Sequence, residues 1–255
     1  MYRLVLLCAA LLVSCNPVGG VSGFGSPKPA AACAARAAPW LAAAVVPVAA
    51  QATVDRPLRA VTYNLHSGLG PSWTLYRPRV TVESNLRGVA QAIAQSSAEP
   101  PDVIALNEVD FASRRSGGFD QARFIADELK RLTGATYTAV TGETWRRDIP
   151  GFEVRFGNAM LVRHPVLAQG ACLYNDAGRC DPVMQPDALP ALDAPGIFSR
   201  FTREARGLIK LTIDFHGQPV DVIGTHLDAF VMAEREAQAA HLLRRFVRAG
   251  RTTLL

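Results

Sequence analysis

The sequence predicts an α/β fold of two stacked, mixed β-sheets flanked by helices. Three observations carry that prediction. From Leu58 onward, apolar strand patterns alternate with helical periodicities. In the second half Phe215-His-Gly-Gln218 joins two strand patterns as a hairpin would, which makes those strands antiparallel and excludes a doubly wound parallel sheet. With 255 residues, 49% hydrophobic and 19% charged, the chain can build a sizeable core without staples. The same figures exclude collagen, coiled coil, polytopic membrane protein and wholesale disorder.

The elements follow in order. Leu58 to Asn64 reads as a strand ending in polar residues. After a Gly/Pro/Ser loop, Val82, Leu86, Val89 and Ile93 recur at helical spacing and predict an amphipathic helix over about 79–96. Pro100-Pro101 stops any helix, and Asp102 to Leu106 is a short apolar strand of the kind buried on both faces. Ala122, Ile125, Leu129 and Leu132 mark a second helix, capped by Gly134. Strands are predicted at 136–141, 153–162 and 207–213, with 219–225 completing the hairpin. Residues 233–248 read as a helix with Ala240, Leu243 and Val247 on one face, and Thr252 to Leu255 open a further strand at which the sequence stops.

The first 57 residues have a different texture. Arg3 precedes a ten-residue apolar run, Leu4 to Val13, too short to span a bilayer and suited to an export signal. It ends in Leu12-Val13-Ser14-Cys15, which resembles the bacterial lipobox, so residues 1–15 read as a lipoprotein signal peptide with Cys15 lipidated. A plain secretory signal cut elsewhere, near Ala50, is the alternative. Residues 16–57 are rich in Ala, Gly and Pro and read as a flexible tether, leaving 58–255 as the folded part. Export to a membrane-anchored, periplasmic or extracellular position follows, with lipid chains holding a monomeric domain at a membrane surface. In such an oxidising compartment Cys172 and Cys180, which bracket a turn-rich loop, are expected to form a disulfide; a metal pair is the rival, without further ligands at zinc spacing nearby.

Net charge is +5, from 27 basic and 22 acidic residues, and 24 of the basic residues are arginine. Guanidinium forks suit phosphate-bearing partners, although arginine-rich codon usage is the plainer source. Arg114-Arg115 and Arg146-Arg147 read as solvated loop charge.

Polar groups cluster at the ends of apolar strands, where a scaffold presents side chains to a cleft. These are Asn64, with His66 following; Asn107-Glu108; Asn158, among small residues; and Thr225-His226-Leu227-Asp228. Singly, each has a bland reading, as a rim carboxylate, a hydrogen-bonded histidine or a turn-capping asparagine. No phosphate loop, zinc helix or nucleophile elbow accompanies them.

As a set, Val61-Thr-Tyr-Asn-Leu65, Pro101-Asp-Val-Ile-Ala-Leu-Asn-Glu-Val109, Gly157-Asn-Ala-Met-Leu161 and Val222-Ile-Gly-Thr-His-Leu-Asp228 resemble the endonuclease/exonuclease/phosphatase superfamily, as does Arg206-Gly207-Leu208. The resemblance implies a DNase I-like four-layer sandwich and hydrolysis of phosphate esters. It further implies Mg²⁺ (or Mn²⁺) at Glu108 and Asn64, a phosphate-contacting catalytic His226, and substrate-side roles for Arg206 and Asn158. Nucleic acid, a phospholipid headgroup or a small phosphodiester would each suit as substrate. The family's later Gly-Asp-x-Asn and Ser-Asp-His motifs, which activate and position the attacking water, are absent from these 255 residues. The expectation is therefore a domain incomplete at its C-terminus and inactive as it stands, with a non-catalytic lipoprotein binding domain on the same fold as the alternative.

Overall fold

The structure, a computed structural model, describes residues 56–70, 77–149, 152–182, 184, 205–247 and 252–255. The export signal with Cys15, and the tether up to residue 55, lie outside the described residues.

β1 (Ala60–Asn64) runs parallel to β2 (Val103–Asp110), and the crossover between them carries α1 (Arg79–Gln95). α2 (Gln121–Thr133) follows β2, and an antiparallel pair, β3 (Thr138–Ile149) and β4 (Phe152–Val162), completes a sheet of order β1-β2-β4-β3. The second sheet has the order β5-β6-β7-β8, from β5 (Val166–Leu173), β6 (Gly207–Phe215), β7 (Gln218–Thr225) and β8 (Thr253–Leu254), with α3 (Met232–Phe246) between β7 and β8. β6 and β7 form the antiparallel hairpin that Phe215 to Gln218 foretold, whereas β7 and β8 are parallel. Both sheets are mixed.

Local chemistry sets the helix ends. The Asp120 carboxylate accepts the Arg123 amide at the start of α2, and Gly134, at φ 75°, closes its other end by donating to the Lys130 carbonyl. Val82, Leu86 and Ile93 of α1 and Ile125 and Leu129 of α2 cover one face of the first sheet, against Ile104, Leu106 and Leu161. On the opposite face, Val103, Met160 and Val162 meet Ile209, Leu211, Ile213 and Val222 of the second sheet. The outer face of that sheet receives α3 through Leu242 and Phe246, packed on Leu208 and Ile223. The layers are thus helix, sheet, sheet, helix, a DNase I-like sandwich. β2 is buried on both sides, which its unbroken apolar run requires.

Four expectations change. β2 continues through Asn107 and Glu108 to Asp110 rather than stopping at Leu106. β3 reaches Ile149, which places Arg146 and Arg147 in a strand and not in a loop. β5 carries no clean alternation, so its sequence concealed it. The buried face of α3 is Gln238, Ala239, His241, Leu242 and Phe246, offset from the Ala240, Leu243 and Val247 face because the disulfide loop as well as the sheet packs beneath it. Among the described residues, no helix is long and apolar enough to cross a membrane.

Candidate active site

The site forms where β1, β2 and β7 end beside the middle of β4. Asn64, the last residue of β1, is in register with Asn107 of β2. One residue further, β2 buckles: its register with β4 slips between Leu106 and Val109, which face Ala159 and Gly157. That is one extra residue on β2, a β-bulge opposite Asn158. Glu108 sits in the bulge at φ 54°, a left-handed conformation that costs a non-glycine residue about 1–2 kcal/mol. On the other side of β4, Gly157 admits the close approach of β3, since a Cβ there would lie 2.1 Å from the Gly142 carbonyl oxygen.

A buried ionic network holds the bulge from below. Asp110, fully buried, accepts from Arg115 Nε at 2.9 Å and from an Arg115 terminal nitrogen at 2.7 Å. The same Arg115 nitrogen donates to Ser67 Oγ at 2.9 Å, and Gln121 accepts from the Asp110 amide while donating to the Ser67 carbonyl. This ties the end of β2 to the turn after Asn64, whose Oδ1 accepts the His66 amide at 2.9 Å. His66 and Ser67 are also left-handed, at φ 47° and 53°. Arg115 is therefore a buttress and not solvated loop charge. Asp110, Ser67 and Gln121 were not legible as site residues, because their partners are distant in sequence and no motif spans them.

His226 follows β7, and its Nε2 lies 3.8 Å from Glu108 Oε1. Its Nδ1 is 2.9 Å from a terminal nitrogen of Arg206. A guanidinium can only donate, so Nδ1 accepts and the ring proton of neutral His226 sits on Nε2, the side facing Glu108. Burial pushes the pKa of His226 down to about 4, helped by the Arg206 charge and opposed by Glu108 and Asp228. The ring is neutral at pH 7. Asn158 Nδ2 donates to the Gly207 carbonyl, which also receives Thr225 Oγ1, and Tyr174 Oη lies 3.1 Å from that same Thr225 oxygen. Behind them a disulfide joins Cys172 to Cys180, with Cα atoms 5.7 Å apart. The Cys180 amide donates to His241 Nε2 of α3, at 3.2 Å.

Asn64, Glu108, Asn158, Arg206 and His226 thus fall at one end of the sandwich, joined by strand register and the contacts above. Among the described residues, the Glu108 carboxylate has no hydrogen bond, and the one titratable group within 4.0 Å of it is the neutral His226 ring. No group of three His, Cys, Asp or Glu side chains converges there among the described residues. A single unengaged carboxylate, one residue past the position in register with Asn64, nevertheless suits Mg²⁺, a hard cation that takes oxygen ligands and keeps several of its waters.

The sequence over residues 61–252 matches the model of the Endonuclease/Exonuclease/phosphatase family. No curated protein matches it. Similar solved structures include an endonuclease/exonuclease/phosphatase family protein from Leptotrichia buccalis, at 17% identity and TM-score 0.49, with 77% of this chain and 66% of that one covered. A mannosyl-6-phosphatase from Bacteroides thetaiotaomicron shows 13% identity and TM-score 0.42, with 74% and 58% covered. D. rerio TDP2 in complex with a single-strand DNA product shows 15% identity and TM-score 0.40, with 75% and 55% covered. The chain spans 55% to 66% of the length of these three structures.

Proposed function

The chain belongs to the endonuclease/exonuclease/phosphatase family, and from that membership we propose that it is a metal-dependent phosphate-ester hydrolase, a phosphodiesterase or phosphatase of nuclease-like design. The observation that carries this reading is the Glu108 carboxylate, held without a hydrogen bond among the described residues on a left-handed bulge 3.8 Å from His226 Nε2. Glu108 and Asn64 would hold Mg²⁺ or Mn²⁺, which would polarise a phosphoryl oxygen and offset charge on the leaving oxygen. His226 donates from Nε2 to a phosphate oxygen as negative charge develops there. Arg206 acts through His226, fixing its tautomer, and Asn158 completes the substrate side of the floor. The Leu12 to Cys15 pattern supports export of a monomeric domain on a lipid anchor at Cys15.

Without Gly-Asp-x-Asn and Ser-Asp-His motifs, these 255 residues lack the groups that activate water, so this polypeptide binds phosphate esters and turns them over slowly or not at all. A second reading is a non-catalytic lipoprotein binding domain on the same fold. Mn²⁺ binding followed by electron paramagnetic resonance tests the shared premise. The chain should bind Mn²⁺ at least tenfold more tightly than Glu108→Gln, and inorganic phosphate more tightly with Mn²⁺ than with EDTA. Equal Mn²⁺ binding by the two proteins rejects both readings. Metal-dependent hydrolysis of bis-p-nitrophenyl phosphate above the EDTA control, however slow, then excludes the binding domain, whereas zero turnover is compatible with both.

A further inference from the structure

Directly after His226 the chain turns outward and displays three consecutive apolar side chains. Phe230 is 86% exposed, Val231 36% and Met232 56%. Their exposure does not come from a loose loop. The buried Asp228 carboxylate accepts both the Phe230 amide, at 2.9 Å, and the Val231 amide, at 2.6 Å. Arg235 donates to the Asp228 and Ala229 carbonyls, and Gln238 Oε1 accepts the Asp228 amide at 2.8 Å. The Asp228, Phe230 and Val231 amides of the turn are engaged while its largest side chain, an aromatic ring, is left in water. Large apolar groups held outward by a rigid turn mark a surface that meets an apolar partner.

We propose that the Phe230 to Met232 turn seats the domain on a phospholipid bilayer, with Phe230 and Met232 entering the acyl boundary and the His226 end facing the headgroup phosphates. This deepens the phosphate-ester reading, on which it rests, by placing the substrate in a lipid surface. Charge distinguishes the partner. A groove for single-stranded nucleic acid pairs its aromatic residues with a basic track, whereas the residues after this turn, Ala233-Glu234-Arg235-Glu236, carry two acids and one base and form no such track. A zwitterionic surface, such as phosphatidylcholine, carries no net charge to be repelled by those acids. Three adjacent apolar side chains also exceed what stacking on one base requires, and they match the interfacial insertion of a short apolar element.

Partition of the full chain into phosphatidylcholine vesicles, measured by sedimentation in EDTA, tests the proposal. The Phe230→Ser/Met232→Ser double variant should partition at least tenfold more weakly than the unaltered chain. Val80→Ser, at a site 73% exposed on α1, should partition like the unaltered chain. Both proteins share the same N-terminal segment, so the difference reads the turn alone. In Phe230→Trp, the added emission should be quenched by brominated phosphatidylcholine, which confirms insertion independently of the double variant. Equal partition without quenching overturns the proposal. So does a loss of self-association in the double variant at unchanged partition, which assigns the turn to a second copy of the chain, or a tenfold loss of oligo(dT) binding at unchanged partition, which assigns it to nucleic acid. Because EDTA removes divalent cations, vesicle partition stands or falls separately from the Mn²⁺ test of Glu108.

Discussion

Asp102, which leads into β2, and Glu108, near its far end, are carboxylates on one strand with opposite surroundings. Asp102 is fully buried and fully engaged: Arg56 grips both its oxygens at 2.8 and 2.6 Å, the Arg59 amide donates at 2.8 Å, and His164 Nε2 lies 2.8 Å away. Glu108 accepts no hydrogen bond among the described residues and sits on strained backbone. Every lone pair of the first is used to join chain segments remote in sequence. The second has its lone pairs in reserve at a mouth where β1, β2 and β7 end. Strain and an unengaged charge persist only where the surroundings enforce them, and here the Asp110, Arg115 and Gln121 network does so. The fold is secured at one end of β2 and made available at the other.

The largest expected effect is therefore at the secured end. Asp102→Ala leaves Arg56, the Arg59 amide and His164 without their acceptor, and should cost about 3 kcal/mol in urea unfolding, at the low end for a broken buried pair because Arg56 keeps 27% exposure. Mn²⁺ binding at Glu108 should be unchanged where the variant is folded. The disulfide behind the site comes next. Replacing Cys172 and Cys180 together by alanine releases a short closed loop and should cost about 2.5 kcal/mol. The Tyr174 to Thr225 contact sits on that loop, so this variant should weaken both stability and Mn²⁺-dependent phosphate binding. Loss of stability with phosphate binding intact would show that the loop supports α3 alone.

Acid separates the two ends as well. Burial alone would raise the pKa of Asp102, but hydrogen bonds from Arg56, the Arg59 amide and His164, with the Arg56 charge, outweigh it and hold the carboxyl well below the ordinary 3.8. The folded state thus gives up this proton more readily than the unfolded chain. Its contribution is complete above about pH 4 and drains away as pH falls below that value. Below pH 4 the unaltered chain should lose stability more steeply than Asp102→Asn, as read from urea midpoints at successive pH values. Parallel curves would mean that Asp102 is not the acid that fails.

Much of this architecture was legible because periodicity reports burial directly. The unbroken apolar run of β2, the helical spacing of α1 and α2 and the glycine cap at 134 each encode a local requirement that one segment satisfies by itself. Strand-end polarity likewise pointed to the ends of β1, β2 and β7, where Asn64, Glu108 and His226 lie. What stayed hidden depends on distant partners. Asp102 reads as an ordinary strand-leading acid until Arg56 and His164 arrive from 46 and 62 residues away. β5 alternates too weakly to declare itself, and the left-handed turn at Glu108 has no glycine to announce it. A strained site is where local rules are expected to fail, since its conformation is imposed by its neighbours and not chosen by its own residues.

The smallest expected effect has the opposite sign and isolates that strain. Glu108→Gly supplies the one residue for which φ 54° carries no steric penalty, and it also removes an unengaged carboxylate. Against this stands the greater backbone freedom of glycine in the unfolded chain, which costs up to about 1 kcal/mol. The net change should be a gain of about 0.5 kcal/mol in urea unfolding, with Mn²⁺ binding reduced at least tenfold. Glu108→Ala keeps the strain while losing the charge, so it should match the glycine variant in cation binding and fall below it in stability. If alanine and glycine proved equally stable, the bulge would be relaxing freely and the buried network beneath it would not be what holds Glu108 in place.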